Sequence, residues 1–494
     1  MNRNLRLVSI LSQPSIKKNY IFKLAYEILC VICPFITSPY VARVLGADGV
    51  GIASYTSSIM AYFALFAALG TYSYGTREIA RHRDDKYQVS KLFWEIELMT
   101  VFTSAVAIFA WIVLAVNNRE YGYYFLALTP QLFAVMLNIT WFYTGYEKIG
   151  YTVLRNALCK IIGIILLFAF VKKKEDLIIY LIINTGINLI ANATMWLYLP
   201  KMLVKINFKE LSFGRHFKET LAYFIPAVAT SVSSVIDKTL VGAITGDSFQ
   251  NGYYEQAMKI IEICKAFTFT ALNGVMEARM SYLFADRNYD EIKNRLKQSL
   301  SFILLIAFGC MFGIVSVAKY FVPFFYGNGY EPVVSLLFVM APLTVVMGIS
   351  SCMETHYFTP SGRRMQSARY ILIGALVNVI LNLLLIPNYG AKGAAIGTLV
   401  AEMVVLILFM SKCGEYASLR LLVEYSWKRV LAGAVMCVLT VFVGKALCSA
   451  SNAVVFFSQF FCGVLTYGVL LFILKDDMLY QILVRVLKMV KLKF

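Results

Sequence analysis

The stretch VVFFSQFFCGVLTYGVLLFIL, Val454 to Leu474, holds no charged residue and decides the class of fold. As a helix rising about 1.5 Å per residue, it spans a hydrocarbon core about 30 Å thick. Ile161 to Val171 and Phe302 to Val317 are equally free of charge. Working outward from these runs, hydropathy and helix breakers predict spans at residues 20–43, 50–74, 92–116, 122–144, 153–171, 177–199, 219–242, 253–277, 297–318, 333–355, 367–386, 393–411, 429–448 and 454–474. The fold class expected is therefore an all-α membrane protein of about fourteen transmembrane helices. No connector is long enough to form a sizeable soluble domain. Across the 494 residues, 59% are hydrophobic and only 15% charged, against about 25% charged in soluble domains.

The formal net charge of +18 raises nucleic acid as a partner, but the positions of the cations exclude it. Lys and Arg gather in short connectors, the pattern that marks the cytoplasmic side of a membrane protein. With both termini cytoplasmic, the inside segments and their helix ends carry 34 of the 46 Lys and Arg residues, and the outside ones 7. The remaining five, Lys23, Arg43, Lys238, Lys259 and Lys265, fall within predicted spans. The cluster Lys172 to Lys174 lies outside against this trend. Met1 to Asn19 is polar and basic without a cleavable signal pattern, so the first span is expected to act as an uncleaved signal. Most of the ten cysteines sit in apolar segments as small hydrophobes, including Cys30-x-x-Cys33. His82, His216 and His356 make no ligand cluster, and no metal is expected. No nucleotide-binding loop is present.

The informative residues are charges at membrane depth. Each costs about 2.5–3.5 kcal/mol at a helix centre on insertion scales. Lys23 and Glu27 stand one turn apart in the first span, and Arg43 ends it. Asp237 and Lys238 sit deep in the seventh. Glu255, Lys259, Glu262 and Lys265 share one face of the eighth, and Glu402 lies in the twelfth. Pairing along their own helices, Glu255 with Lys259, Lys259 with Glu262 and Lys23 with Glu27, explains how they are tolerated. A functional reading makes Lys259, Lys265, Lys238, Arg43 and Lys23 receivers of an anionic phosphate headgroup in a hydrated cavity. Asp237, Glu255, Glu262, Glu402 and Glu27 are then candidates to carry H+ or Na+ as coupling groups. Asn184, Asn188 and Asn192 form a polar stripe in the sixth span that reads as helix-packing glue. The Gly-rich turns LGADGVG (Leu45 to Gly51) and TGDSFQNG (Thr245 to Gly252) hint at two related halves six helices apart. Pro34, Pro39, Pro226 and Pro342 predict kinks. Met478 to Phe494, with Arg485, Lys488 and Lys491 spaced by three, predicts an interfacial amphipathic helix.

Four stretches resemble a known family. PYVARVLG (Pro39 to Gly46), GTYSYGTREIA (Gly70 to Ala80) and WFYTGYEK (Trp141 to Lys148) are similar to helix-end motifs of bacterial polysaccharide flippases of the Wzx type. NLLLIPNYGAKGAAIGT (Asn382 to Thr398) resembles a stretch shared across the superfamily of multidrug exporters and the lipid II flippase. The resemblance implies a MATE-like fold of two six-helix lobes plus a terminal pair. That gives a cytoplasmic tail (1–19), an N-lobe (20–199), a basic linker (200–218), a C-lobe (219–411), a second linker (412–428), helices 13 and 14 (429–474) and an interfacial tail (475–494). It also implies a non-enzymatic flippase in the bacterial inner membrane. Its substrate would be undecaprenyl-pyrophosphate-linked oligosaccharide, moved to the outer leaflet by alternating access, with a polysaccharide polymerase as a candidate partner. Arg77 and Glu78 match a motif at the cytoplasmic mouth and are candidate gate residues; Arg43 lies in a matched motif as well. The alternatives are a multidrug/cation antiporter of the same fold, a lipid II-type flippase and, from a different class, a membrane glycosyltransferase or polymerase. The last would need a catalytic carboxylate set and a large extramembrane loop, and neither is evident.

Overall fold

The computed structural model describes residues 16–147, 149–416 and 418–491, and these are helical with short connectors and no strand. The helices are α1 Ile16–Ala68, α2 Thr71–His82, α3 Lys86–Asn117, α4 Gly122–Leu128, α5 Pro130–Met136, α6 Thr140–Gly145, α7 Ile149–Phe170, α8 Leu177–Ala193, α9 Gly214–Thr245, α10 Ser248–Lys265, α11 Ala271–Ala285 and α12 Tyr289–Tyr326. They continue with α13 Glu331–Met340, α14 Leu343–Met353, α15 Arg364–Tyr389, α16 Ala391–Cys413, α17 Leu419–Ala446, α18 Asn452–Ile473 and α19 Asp477–Lys491. Two π-helical turns, Ala266–Thr270 and Glu354–Phe358, extend α10 and α14.

Among the described residues, ten helices are long and apolar enough to cross a membrane, or eleven when the bent pair around Pro342 counts as one span. The sequence predicted fourteen. The difference has local causes. The first two predicted spans run together as one helical stretch through Gly46, whose φ of 71° breaks the helical geometry inside α1; a side chain there would be strained. The seventh and eighth predicted spans are helical in α9 and in α10 with α11 but are not among the ten. The four charges of α10 lower its apolarity, while side chains 225–227 and 229–234 of α9 lie outside the described residues. The tenth predicted span is the pair bent by 43° between Met340 and Leu343.

The chain packs as two compact units. Tyr55–Val235 and the residues up to Thr37 form the first; Ser38–Ser54 and the residues from Ile236 onward form the second. The first unit is centred on aromatic side chains. Phe93 stacks on Trp141 with ring centres 5.6 Å apart, and the Tyr143 hydroxyl donates to the Met195 carbonyl at 2.7 Å. Two of the quoted motifs pack on each other here: a Cβ on Gly75 would lie 2.5 Å from the Trp141 ring. The asparagine stripe of α8 joins helices, with the Asn188 amide donating to Gln131 at 3.1 Å and that of Asn192 to the Ala134 carbonyl at 2.9 Å. Asn184 bonds back to its own helix at Tyr180. The Lys172 to Lys174 cluster, expected outside, is tied down by Asp176, whose carboxylate accepts from the backbone N–H groups of Lys172 and Lys173 at 2.8 and 3.0 Å.

In the second unit, one apolar core surrounds Val241, Tyr254, Ile261, Tyr326 and Leu337, and another surrounds Leu300, Ile303, Phe358 and Phe409. Ser38–Ser54 joins the first of these through Ala42 and Ala47. Its contact with α10 is backbone on backbone: a Cβ on Gly51 would overlap the Ser248 carbonyl, and one on Gly252 would overlap the Ala47 carbonyl. The two Gly-rich turns of the sequence are thus pressed together, and neither glycine can carry a side chain without parting the helices.

Candidate functional site

Three of the predicted membrane-depth charges meet in the second unit. The Glu255 carboxylate on α10 binds Lys238 of α9, with Nζ 2.7 Å from Oε2, and Lys259 one turn along α10, with Nζ 3.5 Å from Oε1. The Ser54 hydroxyl donates to the same carboxylate at 2.9 Å. The shorter bond is the one between helices, whereas the sequence offered Glu255 only a partner on its own helix. The expected Lys259–Glu262 ion pair does not form among the described residues. Lys238 and Lys259 remain 28% and 25% exposed, so the cluster is shielded from water without being sealed. Two ammonium groups on one carboxylate leave the trio one positive charge in excess.

Lys265, at the end of α10 before the π turn, is half-buried and has no acid within 4 Å among the described residues. Glu262 is exposed, and Glu402 on α16 is half-buried; neither makes an ion pair among the described residues. Arg43 is exposed, and its guanidinium donates to the Phe324 carbonyl in the last turn of α12. One of its donors therefore serves a helix end, where a cation is favoured by the unpaired carbonyls. The side chains of Lys23 and Glu27 lie outside the described residues.

Asp237 has a different set of partners from its neighbour Lys238. Its carboxylate, 4% exposed, accepts from the Asn382 amide at 2.6 Å, the Tyr254 hydroxyl at 2.6 Å and the Thr398 hydroxyl at 2.7 Å. The Asn382 amide also donates to Asn378 at 3.1 Å, while its own carbonyl oxygen is buried without a partner. No cation lies within 4 Å of Asp237 among the described residues. A carboxylate ringed by two hydroxyls, with an orphaned amide oxygen beside Gly397, is an oxygen-rich group of the kind hard cations prefer. Sequence reasoning named Asp237 but not Tyr254, Asn378, Asn382 or Thr398, although Asn382 and Thr398 open and close the quoted superfamily stretch.

In the first unit, Arg77 of α2 bonds Glu78 at 3.0 Å, Glu219 of α9 at 2.8 Å and the Tyr223 hydroxyl. Its guanidinium lies 5.5 and 5.2 Å from the ring centres of Tyr74 and Tyr223. Glu78 also receives Arg81 at 3.4 Å. The candidate gate pair thus ties α2 to α9. Beside it runs a buried chain that the sequence did not disclose. The Tyr74 hydroxyl meets His216 Nδ1 at 2.6 Å, and His216 Nε2 meets Glu95 at 2.7 Å. The other Glu95 oxygen accepts the Ser212 backbone N–H at 2.7 Å. His216 and Glu95 are separated by 121 residues, so no local spacing could have signalled them.

Comparison with known proteins bears on this architecture. Residues 16–284 match the family model described as "Polysaccharide biosynthesis protein". A "Putative O-antigen transporter" from Escherichia coli K12 is 22% identical over 403 residues, covering 80% of this chain and 96% of that protein. A protein of the same description from Shigella dysenteriae is 24% identical, covering 80% and 99%. Among solved structures, the lipid II flippase MurJ in an inward closed conformation matches with a TM-score of 0.70 at 16% identity, covering 93% of this chain and 99% of that one. The multidrug transporter DinF-BH matches at 0.57 and 14% identity, covering 82% and 97%. The family match spans more than half the sequence, and the chain belongs to the polysaccharide biosynthesis protein family.

Proposed function

We propose that the chain is a non-enzymatic flippase for a lipid-linked oligosaccharide, carrying undecaprenyl-pyrophosphate-linked repeat units from the cytoplasmic to the outer leaflet by alternating access. The names of its relatives support transport in polysaccharide biosynthesis. The observation that carries the reading to a phosphate-bearing substrate is the Lys238–Glu255–Lys259 cluster, with Lys265 on the same helix making no ion pair among the described residues. In the empty protein Glu255 parks the two lysines. A pyrophosphate competes for them with several oxygens to the carboxylate's two, in surroundings where attraction is weakly screened. Lys265 meets the substrate without first breaking a bond. Both termini lie on the cytoplasmic side in this reading.

Asp237 is the coupling group. An H+ or Na+ arriving at its nest would neutralise a buried charge that, among the described residues, is held by neutral donors. The decisive experiment is flipping in proteoliposomes of a lipid-pyrophosphate sugar by the Lys259→Gln, Lys265→Gln double variant. The expected result is loss of flipping with the protein still inserted and folded. Transport at the wild-type rate would remove these lysines from the substrate site.

A further inference from the structure

The tail helix α19 is fixed at one end by an uncommon anchor. The chain leaves α18 through Lys475, which takes a φ of 52°. Asp476, 4% exposed, is gripped by the buried Arg429 guanidinium at 3.0 and 3.3 Å. Arg429 also donates to the carbonyl and hydroxyl of Ser301. The same Asp476 carboxylate accepts the backbone N–H groups of Met478 and Leu479 at 3.1 Å, capping the helix. Met478, Leu479 and Ile482 then pack against Leu305 of α12, Ala432 of α17 and Leu471 of α18. One face of α19 is thereby seated on the second unit.

Other described residues of its surface are not. Tyr480, Leu483, Val484 and Leu487 are between 38% and 59% exposed. Beside them lies a hollow lined by Lys475, Asp477, Tyr480, Gln481, Val484 and Arg485. Lys475 and Arg485 are exposed and have no acid within 4 Å among the described residues. Nearby, Lys428 donates to the Lys475 carbonyl at 2.9 Å, next to an exposed Trp427, and the Tyr480 ring stacks flat on Phe472 at the end of α18. Aromatic rings and lysines gathered at the end of a span are the signature of the headgroup layer.

We propose that this hollow holds the phosphate headgroup of an anionic phospholipid, received by Lys475 and Arg485, while Leu483, Val484 and Leu487 enter the acyl boundary. Charge complementarity selects that occupant: among the described residues lining the hollow, two cations without an ion pair outnumber the one acid, Asp477, and Asp476 is already neutralised by Arg429. The exposed apolar residues alongside need a medium that is oily next to charge, which a lipid surface supplies. The site is independent of the transport cluster, so it stands whatever substrate is carried.

The test uses the full chain in nanodiscs of phosphatidylcholine alone or with phosphatidylglycerol, read by hydrogen–deuterium exchange of the α19 amides. Anionic lipid is expected to slow exchange, and added salt to reverse the effect. Lys475→Gln with Arg485→Gln should cost about fivefold in protection for each cation and about thirtyfold together. Equal exchange of the wild type in the two lipids overturns the proposal. So does a double variant that still distinguishes them, or equal protection by inorganic phosphate in phosphatidylcholine discs. Protection that appears only when another protein is added assigns the surface to a protein partner and overturns it too. The salt series on the wild type keeps the test decisive if the variant fails to fold.

Discussion

Gly252→Ala tests whether backbone-to-backbone packing of Ser38–Ser54 on α10 is a required contact. The added methyl would overlap the Ala47 carbonyl oxygen and lie 2.9 Å from its carbon, against about 3.4 Å where ordinary contact begins. The obstacle is main chain, so no rotamer change relieves it. The helices must part by about 1 Å, and overpacking of this kind costs about 1–3 kcal/mol. Separation also loosens the bonds the crossing aligns, from the Ser248 hydroxyl to Asp48 and from the Ser38 hydroxyl to Gln256. That cost corresponds to an open fraction about 5–150 times larger. It should appear as a lower thermal midpoint and as faster amide exchange over residues 248–256 by the same factor. Gly186→Ala is the control, because nothing lies within 4 Å of its Cβ position and alanine favours a helix by up to about 1 kcal/mol. If the two variants have the same midpoint and the same exchange, the crossing carries no such constraint.

Further expectations follow from individual contacts. Asp237→Asn keeps the shape of the nest but not its charge, so flipping should lose its dependence on the driving ion gradient; persistent dependence on an imposed H+ or Na+ gradient refutes the assignment. Glu255→Gln removes the carboxylate from two lysines and should lower stability by about 1–3 kcal/mol, measured as a fall in thermal midpoint. Glu95→Ala leaves His216 and the Ser212 N–H without their acceptor, an effect of about 2–4 kcal/mol, whereas an equivalent variant of the exposed Glu262 should be close to neutral. Arg429→Met strands Asp476 and should cost about 3–5 kcal/mol. It should also free the α19 amides to exchange, and unchanged protection would show that the apolar seat alone holds the tail.

The membrane class was legible because a chain in oil must satisfy every backbone group within its own helices, leaving long uncharged runs that need no tertiary context to recognise. The charges at membrane depth were legible for the same reason: their energetic cost makes each one stand out. Their partners were not. Glu255 could be matched on paper to Lys259 because helix geometry fixes the neighbour four residues on, but the closer contact comes from Lys238 on another helix. The helix count was also distorted at particular residues: the backbone turn at Gly46 lets two spans run together, and the four charges of α10 disguise its span.

The sequence by itself settled that the chain crosses a membrane, where its costly charges lie and which family it resembles, since these depend on local composition, periodicity and matched stretches. Only the tertiary structure decided which charge meets which. It joined Asp237 to Asn382 and Thr398, Glu95 to His216, and Arg429 to Asp476, across separations that no spacing rule spans. It also showed that two Gly-rich turns touch. Packing assigns such partners because a buried polar group must be satisfied by whichever donor the fold brings within about 3 Å.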